Sequence, residues 1–170
     1  RLPDPTTTDQ LKKAIREANA NKHVHGILVQ LPLPKTIDSR EILDAVTPEK
    51  DVDGFHPLNT GLLFQGRPRF IPCTPLGIIK LLKGYNIPLE GKYAVIVGRS
   101  HIVGKPVAQL LLQENATVTV CHSYTQNLSE ILQTADLVVA AIGKPNFIHG
   151  KDLKSGAVVI DVGVNRLAGG

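Results

Sequence analysis

Between residues 6 and 20 the apolar side chains fall at Leu11, Ala14, Ile15 and Ala18, the i, i+3, i+4, i+7 spacing of one helix face, behind the capping oxygens of Thr6-Thr7-Thr8-Asp9. That pattern predicts an amphipathic helix ending near Asn19 to Asn21. At Gly26-Ile27-Leu28-Val29-Gln30 the period is lost and a short apolar run predicts a buried strand with a polar last residue. Leu31-Pro32-Leu33-Pro34 follows, and two prolines forbid further ladder pairing. Gln30 is thereby expected at a strand's C-terminal end, the edge at which open α/β sheets bind ligands. Its amide could equally serve the loop backbone. Ile37, Ile42, Leu43 and Val46 predict a second helix covering the sheet.

The second half repeats strand and helix patterns more strongly. Thr74 reads as an N-cap with Pro75 at the first helical position, Ile78, Ile79 and Leu82 as a buried face and Gly84 near the end. A domain boundary is placed there, dividing the chain into residues 1–72 and 73–170. Tyr93-Ala94-Val95-Ile96-Val97 reads as a buried parallel strand, and Gly104 with Pro106 opens a helix through Val107, Leu110 and Leu111. Residues 116–123 predict a second buried strand, 135–143 a third strand with a glycine exit and 157–165 a fourth strand, with Leu128, Ile131 and Leu132 as the apolar face of one crossover. Strands alternating with helices predict a Rossmann-like parallel α/β sheet in the second domain, beside a smaller α/β domain. No internal repeat or low-complexity tract interrupts the pattern.

Composition narrows the class without naming a function. The 170 residues are long enough for one or two domains, and 42% hydrophobic with 20% charged residues is ordinary for a soluble globular protein. No apolar run approaches bilayer length and the N-terminus is not a signal peptide, so a cytoplasmic protein is expected. Cys73 and Cys121 have neither the number nor the spacing of a disulfide scaffold or zinc site, and six scattered histidines predict no metal centre. The +4 formal charge is spread along the chain, which suits a small anionic ligand better than nucleic acid. The sequence has no methionine, begins at Arg1 and stops after an apolar run at Ala168-Gly169-Gly170, and so reads as a piece of a longer protein.

Candidate chemistry concentrates in two stretches. Gly98-Arg99-Ser100-His101-Ile102-Val103-Gly104 joins a strand to a helix N-terminus, where free N–H groups and the helix dipole favour an anion and Arg99 adds a guanidinium for a second phosphate. Glycines in such a turn can also serve close packing alone. The following strand ends Cys121-His122-Ser123, without the acid that grips the ribose of NAD, so the reading is NADP. Pro48-Glu49-Lys50-Asp51-Val52-Asp53-Gly54-Phe55-His56-Pro57 sets two carboxylates around one valine. In an extended segment both would lie on one side, one accepting from a substrate amine and the other turning the chain. A plain Asx turn is the alternative.

With these residues in view, the sequence resembles the bifunctional methylenetetrahydrofolate dehydrogenase/methenyltetrahydrofolate cyclohydrolase (FolD) family. The resemblance is carried, in family order, by residues 29–34, 48–56, Pro72-Cys73-Thr74-Pro75, 98–106 and Val159-Ile160-Asp161-Val162-Gly163-Val164-Asn165-Arg166. It implies NADP-dependent oxidation of 5,10-methylenetetrahydrofolate and hydrolysis to 10-formyltetrahydrofolate in one-carbon metabolism, by a homodimer acting on tetrahydrofolate derivatives. It assigns Gln30, Leu31 and Asp53 to folate, with Asp53 holding the pterin and Gln30 tuning a catalytic lysine. Gly98, Arg99, Ser100, Gly104 and Ser123 would hold NADP, and Val164 would line its nicotinamide side. On this resemblance residues 1–72 are a partial folate domain and 73–170 an NADP domain lacking its C-terminal segment.

Two elements of the family pattern are not found, the C-terminal Pro-Gly-Gly-rich segment that also touches folate and the catalytic lysine. That lysine belongs to a Tyr-x-x-x-Lys motif, and no tyrosine here has lysine four positions later. Two other readings follow: an NADP-binding remnant with an interaction or regulatory role, and a two-domain NADP dehydrogenase resembling shikimate dehydrogenase. The Gln30 and Asp51/Asp53 segments argue against the latter.

Overall fold

The computed structural model describes residues 5–163. The chain divides into two compact units, Arg1–Pro72 and Cys73–Gly170.

The first unit is built on helix α1, Thr8–Ala20. Thr7 is its N-cap, and a reciprocal capping box joins Thr7 and Gln10: Gln10 N–H donates to Thr7 Oγ1 at 3.3 Å and Thr7 N–H to Gln10 Oε1 at 2.9 Å. The second helix, α2, is shorter than its apolar spacing predicts, Ser39–Leu43. Ile37 and Val46 reach the same core from turns on either side, joining Ile15, Val29, Ile42 and Leu43. A third helix, α3, Pro57–Phe64, was not legible because it has no apolar stripe; its buried residues are Asn59 and Leu63.

Residues 26–30 correct the expectation of a strand. They form a single parallel bridge, Ile27 with Asp51, where Ile27 N–H donates to Lys50 O at 2.7 Å. The ladder stops there because the facing segment is turning, with Lys50 and Asp51 N–H both on Thr47 O and Gly54 N–H on Asp51 O. Leu28 is accordingly 60% exposed while Val29 is buried.

The second unit begins with helix α4, Cys73–Gly84. It starts at Cys73 rather than after a Thr74 cap, and Pro75 falls within the first turn, where a missing N–H breaks no helical bond. Strand β1, Tyr93–Val97, is followed by helix α5, Gly104–Gln113, strand β2, Thr117–Cys121, helix α6, Leu128–Leu132, strand β3, Leu137–Ala140, and strand β4, Val158–Asp161. All neighbours are parallel in the order β2-β1-β3-β4. The central pair is buried, with Val95, Ile96, Val138 and Val139 at 0% exposure. Among the described residues β2 and β4 are the edge strands of this sheet, so β2 is not the buried strand expected at 116–123, and Val159 of β4 is 43% exposed. The crossover into β4 carries a single 3-10 turn, Gly150–Asp152, instead of an α-helix.

The chain steps outward from β1 to β2 and then back across β1 to β3. The loop after β1 therefore leaves the sheet where the strand order reverses, the place at which an open α/β sheet opens a ligand crevice.

Candidate functional site

That loop is shaped by contacts that leave no room for side chains. Gly98 has φ +128°, its N–H donates to Cys121 O at 2.9 Å, and a Cβ on it would lie 2.5 Å from Ala141 O. A Cβ on Gly104 would lie 2.2 Å from Gly98 O. The two glycines press the α5 N-terminus onto the end of β1, so close packing is the reason for both.

The donors differ from those expected. Ser100 Oγ accepts from Val103 N–H at 3.2 Å and Gly104 N–H at 3.3 Å, and Ser100 O accepts from Lys105 N–H at 2.9 Å. Pro106 has no N–H, so every orphan donor of the α5 first turn is accounted for by Ser100 or by proline. The helix keeps its positive end but offers no free N–H. The loop's available donors are the N–H groups of Arg99, Ser100, His101 and Ile102, none with a partner among the described residues.

Arg99 is exposed, and its guanidinium carbon lies 5.8 Å from the centroid of the Tyr124 ring, within cation–π range. Tyr124 belongs to the turn that ends β2: Thr125 N–H donates to His122 O at 2.9 Å, His122 N–H to Thr125 Oγ1 at 2.8 Å and Tyr124 N–H to His122 Nδ1 at 3.1 Å. Ser123 stands exposed in this turn. Arg99, which the chain places on the β1 loop, is thus carried over to the acid-free end of β2. Burial pushes the Cys121 thiol up, as befits a structural residue beneath the turn. Tyr124 was missed by sequence reasoning; an aromatic residue next to Ser123 was the available signal.

In the first unit the carboxylates do not lie side by side on an extended strand. Asp51 to Gly54 is a turn closed by Gly54 N–H on Asp51 O at 3.2 Å, with Gly54 at φ +69°. Asp51 is 4% exposed, and its Oδ2 accepts from His56 N–H at 2.8 Å and Asn59 Nδ2 at 2.8 Å. Asp51 therefore turns the chain, and Asp53 is left half-buried without a hydrogen-bond partner among the described residues. Burial, and secondarily the charge of Asp51, raise the Asp53 carboxyl above its ordinary range.

Asn59 is fully buried. Its Nδ2 also donates to Pro48 O at 2.9 Å while its Oδ1 has no partner. The reverse amide orientation would set that oxygen against two acceptors, so the network defines the one seen. The unpaired oxygen costs about 1–3 kcal/mol, offset by a bond to a carboxylate that is stronger than a neutral one. On the other flank Lys50 Nζ donates to Ala18 O at 3.0 Å, Asn19 O at 2.6 Å and Asn21 O at 2.8 Å, capping the C-terminal end of α1, which has no basic residue in its own last turn. Neither Asn59 nor Lys50 was anticipated, and for Lys50 no local signal exists, since its partners lie 29 to 32 residues earlier.

Gln30 is exposed, and its Nε2 donates to Leu31 O at 3.0 Å, the loop-backbone role foreseen as the alternative. Leu31 packs against the core of this unit. Val164 lies outside the described residues. A cavity of about 330 Å³ in the second unit, lined by Lys92, Asp136, Lys154 and Val158 among others, opens at the opposite, N-terminal ends of the strands. There Lys154 holds the Asp136 carboxyl below its usual range.

These features define a Rossmann-like α/β unit that presents one loop and one arginine at its carboxyl edge. Residues 72–170 match the family described as tetrahydrofolate dehydrogenase/cyclohydrolase, NAD(P)-binding domain, and residues 1–53 match its catalytic domain. The chain belongs to the tetrahydrofolate dehydrogenase/cyclohydrolase family. It is 55% identical over 167 residues to the bifunctional protein FolD of Agathobacter rectalis, covering 98% of this chain and 60% of that protein. The crystal structure of the bifunctional FolD methylenetetrahydrofolate dehydrogenase/cyclohydrolase from Campylobacter jejuni superposes with a TM-score of 0.92 at 51% identity, over 96% of this chain and 58% of that one. The Trypanosoma brucei enzyme, solved with NADP and an inhibitor, gives a TM-score of 0.92 at 40% identity, over 98% of this chain and 58% of its own. The chain spans about 60% of the length of the curated relatives it matches.

Proposed function

We propose that this chain carries the NADP site and part of the folate site of an enzyme that oxidises 5,10-methylenetetrahydrofolate to 5,10-methenyltetrahydrofolate and hydrolyses the product to 10-formyltetrahydrofolate. The observation that carries the reading is Arg99 lying over Tyr124 at the acid-free end of β2, beside Ser123. A cation and a hydroxyl at that edge suit a ribose 2′-phosphate, where a carboxylate would repel it. NADP, when bound, accepts a hydride from the methylene carbon; water then adds to the methenyl carbon with release of one proton.

The chain's own groups bind and orient. The N–H groups of residues 99–102 and the positive end of α5 hold phosphate, with Gly98 and Gly104 keeping loop and helix together. Asp53, left unpaired by its turn, accepts from an N–H of the pterin. Gln30 and Leu31 complete this chain's share of the folate site, Gln30 orienting a lysine that is not among these 170 residues. The catalytic contribution of such groups is alignment of the one-carbon bridge with the nicotinamide. Residues 1–72 serve as folate domain and 73–170 as NADP domain of a cytoplasmic homodimer.

The test is a spectrophotometric assay of the intact protein, after its mass is checked, with methylenetetrahydrofolate and either NADP or NAD. Reduction of NADP with appearance of the methenyl product is expected. NADP binding without turnover would instead support a remnant. Asp53→Asn is expected to abolish dehydrogenase turnover with NADP affinity nearly intact; near-normal activity would return Asp53 to a turn-making role.

A further inference from the structure

The turn after β2 carries a side chain that its own shape does not need. The backbone there is fixed by Thr125 N–H on His122 O, His122 N–H on Thr125 Oγ1 and Tyr124 N–H on His122 Nδ1. All three bonds would survive loss of the Tyr124 side chain, and that residue is 79% exposed. Two groups stand by its ring. The His122 imidazole has its centroid 6.0 Å away with the planes 70° apart, and the Arg99 guanidinium carbon lies 5.8 Å from the ring centroid.

Arg99 in turn has no carboxylate partner and no side-chain hydrogen bond among the described residues. A long side chain left to itself samples many rotamers, and ordering it when a ligand arrives weakens binding. A carboxylate would order the arginine but would also neutralise it and occupy its N–H donors. An aromatic face attracts the guanidinium through its quadrupole and takes neither the charge nor the donors. An aromatic ring is therefore the kind of partner that holds a cation in place and leaves it ready for an anion.

We propose that Tyr124 is a positioning residue that holds Arg99 at the end of β2 with its charge intact, and thereby raises the preference for NADP over NAD. This deepens, and rests on, the 2′-phosphate role proposed for Arg99. The two cofactors differ only in that phosphate, so a ring that acts through the arginine changes NADP affinity and leaves NAD affinity where it is. A ring that stacked on the adenine would change both, since both carry the base.

The test is calorimetric titration of the intact protein with NADP and with NAD, comparing Tyr124→Leu, Tyr124→Phe, Arg99→Ala and the Arg99→Ala/Tyr124→Leu double variant with the wild type. Tyr124→Leu is expected to weaken NADP about fourfold, the scale of a cation–π contact at an exposed site, and to leave NAD affinity and the denaturant midpoint unchanged. Tyr124→Phe keeps the ring face and should bind NADP as the wild type does. In the Arg99→Ala background Tyr124→Leu should have no further effect, the coupling that marks one residue acting through another. Equal weakening of NADP and NAD by Tyr124→Leu overturns the inference in favour of adenine stacking. A Tyr124→Phe variant as weak as Tyr124→Leu overturns it in favour of the hydroxyl. NADP affinity that falls in Arg99→Ala but not in Tyr124→Leu overturns the inference alone, whereas Arg99→Ala weakening NADP no more than NAD overturns the 2′-phosphate reading beneath it.

Discussion

The loop at 98–104 and the loop at 48–56 hold their candidate residues by opposite means. In the first, shape is set by backbone pressed on backbone, with Gly98 and Gly104 at points where a single methyl would collide with a carbonyl. One side chain, Ser100, satisfies the helix end and Arg99 is free to reach across to Tyr124. In the second, shape is set by polar side chains, the half-buried Lys50 and the buried Asp51 and Asn59, each bonded to main chain or to one another. A backbone-built loop can lie open to a phosphate without losing its shape. In a side-chain-built loop each member depends on the rest, so the loss of one leaves its buried partners unpaired.

The difference is open to substitution. Gly104→Ala is the largest expected effect, since a methyl 2.2 Å from Gly98 O must displace main chain. It should cost about 3 kcal/mol or more and abolish NADP binding, read by denaturant midpoint and cofactor titration. A variant of normal stability would show the loop to be less rigid than its contacts imply. Asn59→Ala comes next, at about 2–3 kcal/mol, because Asp51 stays buried with one donor fewer. Its loss should appear in urea melts and leave NADP affinity within about twofold, a change near 0.4 kcal/mol.

Arg99→Ala should leave stability untouched and weaken NADP about thirtyfold, the equivalent of about 2 kcal/mol for one charge-assisted phosphate contact. NAD affinity should hardly change, and equal loss for both cofactors would remove Arg99 from the 2′-phosphate. Smallest is Gly77→Ala. Gly77 is exposed within α4 with nothing near a built Cβ, so alanine should stabilise by about 0.5–1 kcal/mol. A loss there would undo the contrast between a glycine required by contact and one that is not.

Much of the second unit was legible because its signals are local. A continuous apolar run bounded by Gly98 announces β1, and Val107, Leu110 and Leu111 announce the helix behind it. The burial of β2 was overestimated because Val and Thr carry the same β preference whether a sheet covers them or not. In the first unit the strand at 26–30 failed for a related reason. Its residues suit a ladder, but the segment opposite is a turn and offers one acceptor, Lys50 O.

The sequence by itself determined the helix faces, the central strands, the glycine loop and the absence of an acid after β2, all properties of residues a few positions apart. Tertiary structure decided which carboxylate is buried, where Lys50 ends, what occupies the α5 donors and how Arg99 meets Tyr124. Those depend on partners brought together by folding, whose distance in sequence leaves no periodic trace.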